Sequence, residues 1–126
     1  MSQKYGLQEG YEQVLGLFRQ VGARLGEANV LLSLGDLERG RKQYPLVWHY
    51  YQSAGQLYQQ IGDGYSLARV LYRMGDWWVA QAQPEKAVPL YEQAITIWSQ
   101  IGLKSLVEQI LRPKLQQALL DTDEQD

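Results

Sequence analysis

Apolar residues along this chain return at intervals of three and four. One stretch reads Ala28, Leu31, Leu32 and Leu34, and forty residues on the same spacing returns as Ala68, Leu71, Met74 and Trp78. A second kind of stretch reads Val47, Tyr51, Ala54, Leu57, Tyr58 and Ile61, then Ala87, Leu90, Tyr91, Ala94, Ile97, Trp98 and Ile101. A helix places such residues on one face, whereas a half-buried strand needs strict alternation, which is missing. Gly22, Gly62 (followed by Asp63 and Gly64) and Gly102 punctuate the pattern as helix terminators. Pro45 and Pro84 stand where a first helical turn tolerates a missing N–H. The pattern predicts an all-α fold with helices near 8–21, 25–41, 45–61, 66–81, 85–101 and 104–120.

The pattern is also a repeat. Shifted by 40 residues, "YEQVLGLFRQVG" (11–22) lies over "YQSAGQLYQQIG" (51–62) and "YEQAITIWSQIG" (91–102). "EANVLLSLGD" (27–36) lies over "LARVLYRMGD" (67–76) and, more loosely, over "VEQILRPKLQ" (107–116). Residues 11–50 and 51–90 share ten identities, among them Tyr11/Tyr51, Gly35/Gly75 and Asp36/Asp76. Unrelated segments of average composition share roughly two or three. Each unit therefore reads as two helices, a first helix and a second helix. Gly35 and Gly75 fall in mid-helix, where glycine costs about 1 kcal/mol relative to alanine. Their recurrence predicts a close helix approach, with Ala54 and Ala94 as the matching small residues on the second helix.

These positions resemble the tetratricopeptide repeat (TPR). Its first-helix signature is met by Leu31-x2-Leu34-Gly35-x2-Glu38 and Leu71-x2-Met74-Gly75-x2-Trp78. Its second-helix signature is met by Val47-x3-Tyr51-x2-Ala54 and Ala87-x3-Tyr91-x2-Ala94. The 40-residue period is similar to the variant found in kinesin light chains and the Pins/LGN spindle adaptors. Glu38 departs from an aromatic position and Val47 from an alanine. The third copy has Leu115 in place of the glycine, and Pro113 is expected to kink or split its helix. The resemblance implies a right-handed α-solenoid of antiparallel helix pairs, about six helices in all. On that reading residues 1–120 form a single domain with two complete units over about 28–107, a half unit at 8–22 and a closing helix at 104–120. Opening on a second helix lets the hairpins pair out of phase with the family's units. Residues 121–126, "DTDEQD", are expected as an acidic, disordered tail.

Composition narrows the chemistry. With 12 basic and 14 acidic residues the net charge is −2, which gives no electrostatic case for nucleic acid or an anionic membrane. No apolar run is long enough for a membrane span, and no secretory h-region is visible. Cysteine is absent and His49 is the single histidine, so disulfides, thiolate chemistry and a histidine metal cluster are not expected. No phosphate-binding glycine motif occurs, and neither catalytic residues nor cofactors are expected. A cytoplasmic location is consistent with these features. Asp36 and Asp76 are copied by the repeat, so a bond to a neighbouring helix or loop amide is expected of them before acid–base chemistry.

Trp78 occupies the aromatic core position of the TPR pattern and Trp98 aligns with Phe18 and Tyr58, so both read as core. Adjacent Trp77 reads as packing, with an exposed binding edge as the alternative, and Trp48 is the candidate for exposure. The packing set is completed by Leu31, Leu34, Gly35, Tyr51, Ala54, Leu71, Gly75, Ala87, Tyr91 and Ala94. By carry-over of the family's ligand-facing positions, a concave groove is expected to present Asn29, Leu32, Ser33, Asp36 and Arg39, then Arg69, Tyr72, Arg73, Asp76 and Val79, then Gln109 and Arg112. Guanidinium forks beside an aromatic suit a carboxylate or phosphate on a peptide. The resemblance thus implies a non-catalytic module binding a protein or peptide partner. A self-associating scaffold that stacks through exposed solenoid ends is the alternative.

Overall fold

A computed structural model describes residues 3–21 and 23–125; the expected terminator Gly22 lies outside them, as does the side chain of Phe18. Helices run α1 Gln3–Val21, α2 Arg24–Gly40, α3 Tyr44–Ile61, α4 Gly64–Ala80, α5 Pro84–Gln100, α6 Lys104–Leu106 and α7 Arg112–Gln125. A π turn, Val107–Leu111, joins α6 to α7 in one continuous helical run. No strand occurs among the described residues. The chain forms two compact units, Met1–Gly62 and Asp63–Asp126.

In the first unit, α2 packs on α1 and on α3. Covered on two flanks, α2 buries a wide stripe: Ala28, Val30, Leu31, Leu32, Leu34, Gly35 and Glu38. From α3 come Val47, Tyr51, Ala54 and Tyr58. In the second unit α4 packs on α5, and the closing helical run packs on α5 as well. One apolar cluster holds Ala68, Ala94, Trp98, Val107 and Leu111, and another holds Ala87, Tyr91 and Ala118. The strongest pairings are α2 with α3 and α4 with α5, in phase with the repeat pattern and not out of phase.

The glycines act differently from a simple backbone crossing. A Cβ on Gly35 would stand 2.5 Å from the Tyr51 ring, and one on Gly75 would stand 2.5 Å from the Tyr91 ring. Each glycine is a socket into which a whole phenol sinks. The next residue completes it: Tyr51 Oη donates to Asp36 at 2.5 Å and Tyr91 Oη to Asp76 at 2.6 Å. A buried hydroxyl without an acceptor costs several kcal/mol, so the aspartate is as much part of the packing as the glycine. This explains the repeated Gly-Asp dipeptide. Of the expected packing set, Leu71 and Trp78 are half-buried and the others are buried.

Helix ends follow local chemistry. Asp63 caps α4 by accepting from the Ser66 N–H at 3.0 Å, and Gly62 closes α3 at φ 82°. The connectors after α2, α4 and α5 share another closure. The N–H groups of Gln43, Gln83 and Leu103 reach back to the carbonyls of Glu38, Trp78 and Trp98. That closure needs a left-handed residue, supplied by Gly102 but also by Lys42 (φ 62°) and Ala82 (φ 59°).

Pro113 neither breaks nor ends the last helix. It has no N–H for the carbonyl of Gln109, and the chain accommodates this by widening into the π turn just before it. Arg112 N–H there bonds the Val107 carbonyl, five residues back. The extra residue shifts the register by one, so positions beyond it match α4 at an offset of 41 rather than 40. The acidic stretch from 121 also differs from expectation, since α7 continues through Gln125. Gln117 donates to Asp121 and Thr122 to the Ala118 carbonyl, carrying the helix past Leu120.

Candidate functional site

One surface feature of the second unit lies where α4 and α7 flank α5. A depression of about 160 Å³ is lined by Asp76, Val79, Tyr91, Lys114, Gln117, Ala118 and Asp121. Asp76 anchors it. One carboxylate takes the Tyr91 hydroxyl and, through both oxygens, Lys114 Nζ at 3.0 Å. Burial first, then the hydrogen bond and charge of Asp76, hold the Tyr91 phenol far above its ordinary pKa. Lys114 also stands over the Tyr72 ring at 5.6 Å, and the Arg73 guanidinium lies 5.5 Å from the same ring. Tyr72 meets Trp98 edge-on at 5.9 Å, which fixes its ring.

Of the residues expected to bind, Asp76 and Val79 line this depression and Tyr72 stands beside it under Lys114, while Arg73, its Nη1 buried, lies against the Tyr72 ring. Arg69 lies one turn earlier on α4, over the Tyr65 ring at 5.6 Å. Arg112 instead pairs with exposed Glu108 at 2.6 Å, four residues back on its own helical run. Lys114 and Asp121 were not expected here. Sequence alignment hid Lys114, because the ungapped register lays it over Met74 whereas the π turn brings it to the position of Arg73.

In the first unit Leu32 departs from expectation: it is 5% exposed, enclosed with the stripe that α2 buries, and offers nothing to a ligand. Asp36 and Asn29 are exposed, but each accepts from a buried tyrosine, Asp36 from Tyr51 and Asn29 from Tyr58. Their first task is structural. A larger cavity of about 350 Å³ opens among α1, α2 and α3, lined by residues including Glu12, Arg19, His49, Tyr50 and Ser53 over Leu15, Leu31 and Leu34. Beside it Glu38, 1% exposed, pairs with Arg41 at 2.8 Å, and Arg41 also donates to Gln8. Burial and the charges of Glu12 and Glu38 raise the Tyr50 pKa, against a lowering hydrogen bond from Gln8.

The tryptophans answer separately. Trp98 is buried, donates its indole N–H to the Tyr65 carbonyl at 3.1 Å and stacks on that ring. Trp77 and Trp78 meet at 82° with centroids 4.8 Å apart, and Lys86 Nζ sits 4.5 Å over Trp78. Trp48 is half-buried. Among the described residues no group of His, Cys, Asp and Glu is arranged to hold a metal ion, and no helix is long and apolar enough to cross a membrane.

Scanned against models of known protein families the sequence matches none, and a search of curated proteins gives no match.

Proposed function

We propose that this chain is a TPR-like, non-catalytic interaction module that takes a peptide or protein segment on the face of α4 and α7. The observation that carries the reading is the fixed ring of Tyr72, flanked by Arg73 and Lys114 beside the 160 Å³ depression. A rigid aromatic between two cations, next to a hole of side-chain size, is the anatomy of a recognition hot spot. Arg69 on α4 would take a carboxylate or phosphate of the segment, with Arg73 holding the Tyr72 ring beside it, and a short side chain would enter the depression over Val79 and Ala118.

The test is selection from a displayed peptide pool, followed by calorimetry on the peptides retained. The Arg69→Ala/Arg73→Ala double variant is expected to weaken binding at least tenfold with its helical signal intact. Retained peptides that bind the double variant equally well, or an empty selection, would remove the reading.

A further inference from the structure

The repeat makes α1 comparable, residue by residue, with α3 and α5. Tyr11, Val14 and Leu17 occupy the positions of Tyr51, Ala54 and Leu57, and of Tyr91, Ala94 and Ile97. In α3 and α5 the tyrosine and alanine are buried and the third residue is half-buried. In α1 Tyr11 is half-buried, Val14 is 41% exposed and Leu17 is 61% exposed. The difference is a helix in front. Tyr51 sinks into Gly35 of α2, Tyr91 sinks into Gly75 of α4, and Ala94 shares a cluster with Ala68 of α4. The open face of α1 is therefore the face that a first helix of the repeat covers in both complete hairpins.

The last helix presents the complementary half. It buries Ala118 against Ala87 and Tyr91 of α5. With the register shift of the π turn, Leu119 takes the position of Trp78, the residue that α4 packs toward Ala87 and Tyr91 of its own second helix. Leu119 is 46% exposed and its neighbour Leu120 is 58% exposed. So α7 is a first helix whose own second-helix side is open. Charge fits the same pairing. An antiparallel hairpin sets the end of the first helix beside the start of the second. That brings Asp121 and Asp123 to the positive end of α1, whose first turn contains no acidic residue.

We infer that the open face of α1 is a docking surface for α7 of a second copy of this chain, the two helices completing a hairpin between copies. Gln116 stands at the glycine position of α7, so the Tyr11 ring cannot sink and the contact is shallow. Association is accordingly weak and concentration-dependent. The two surfaces are different, so the contact is heterologous and extends beyond a dimer.

Sedimentation equilibrium of the full chain over micromolar to millimolar concentration tests this, together with Val14→Lys and Leu119→Lys. The wild type is expected to show an average mass that climbs with concentration. Each variant alone is expected to stay monomeric with unchanged circular dichroism and melting. An equimolar mixture of the two is expected to form a dimer and nothing larger, because each variant keeps one intact surface. Should either variant lose helical signal, Leu17→Lys and Leu120→Lys serve in its place. A wild type that stays monomeric throughout overturns the inference, as it would if another segment covers α1. Self-association abolished by Val14→Lys but untouched by Leu119→Lys overturns it too, in favour of an α1–α1 contact. None of these positions lines the depression, so the peptide reading stands or falls separately.

Discussion

The hairpins α2–α3 and α4–α5 carry the same plan at 40 residues' distance and differ in telling places. The socket is kept: glycine, aspartate and tyrosine recur at 35, 36 and 51 and at 75, 76 and 91. One turn further along the first helix, the hairpins part. The first has buried Glu38 held by Arg41, which also donates to Gln8, where the second has Trp78 under the ammonium of Lys86. Toward the other end, Tyr58 donates to Asn29 in one hairpin, whereas Trp98 donates to the Tyr65 carbonyl in the other. Positions with a single geometric solution stay fixed, since only glycine admits the ring and only a short acceptor reaches its hydroxyl. Positions that require merely filled volume and satisfied polar atoms accept unrelated answers.

The largest effect should come from the non-equivalent pair. Arg41→Ala strands a buried carboxylate and is expected to cost about 3–5 kcal/mol, read by urea unfolding. Lys86→Ala in the other hairpin removes only an exposed cation from over the half-buried Trp78 ring and should cost about 1 kcal/mol or less. Equal costs would mean that the two solutions are energetically alike.

Next come Gly35→Ala and Gly75→Ala. Alanine favours the helix by about 1 kcal/mol, yet its Cβ collides with a phenol, so net losses of about 1–3 kcal/mol are expected. The loss should shrink in the Tyr51→Leu and Tyr91→Leu backgrounds, a coupling that a double-mutant cycle measures. Additive costs would break the socket argument.

Smaller still is the hydroxyl itself. Tyr91→Phe should cost about 0.5–1.5 kcal/mol at neutral pH, because Asp76 keeps Lys114 as a partner. The sign of its pH dependence follows from the raised pKa. The unfolded phenol ionises near pH ~10 while the folded one stays protonated, so the contribution is complete below that pH and fades as alkali rises above it. Tyr91→Phe should therefore flatten the alkaline limb of a stability–pH curve. At the bottom of the scale, Lys42→Gly and Ala82→Gly should raise the melting temperature, relieving left-handed strain of about 1 kcal/mol each.

Much of this arrangement was legible in the chain. Spacing located the helices within a few residues, and the echo picked out the glycines, tyrosines and alanines that are buried. Other features were hidden for physical reasons. Pattern-matching reads Glu38 as a departure, because its burial depends on Arg41 and on Gln8 of another helix. Lys42 and Ala82 carry no signature of a left-handed backbone, which the closure of the turn imposes on them. Lys114 escaped because Pro113 induces a π turn and so rotates every later side chain. The pairing of Arg112 with Glu108 on its own helical run is likewise invisible to a reading that carries over single positions.

The phenol in its glycine socket has a mechanical side as well. A ring seated in a gap one residue wide blocks sliding along the helix axis, since a slip of a single turn would drive it against a side chain. Pulled lengthwise, such a hairpin should hold like a bolt in its keeper. Pried apart sideways, it has no catch, and the two helices should swing open from the end opposite their connecting turn.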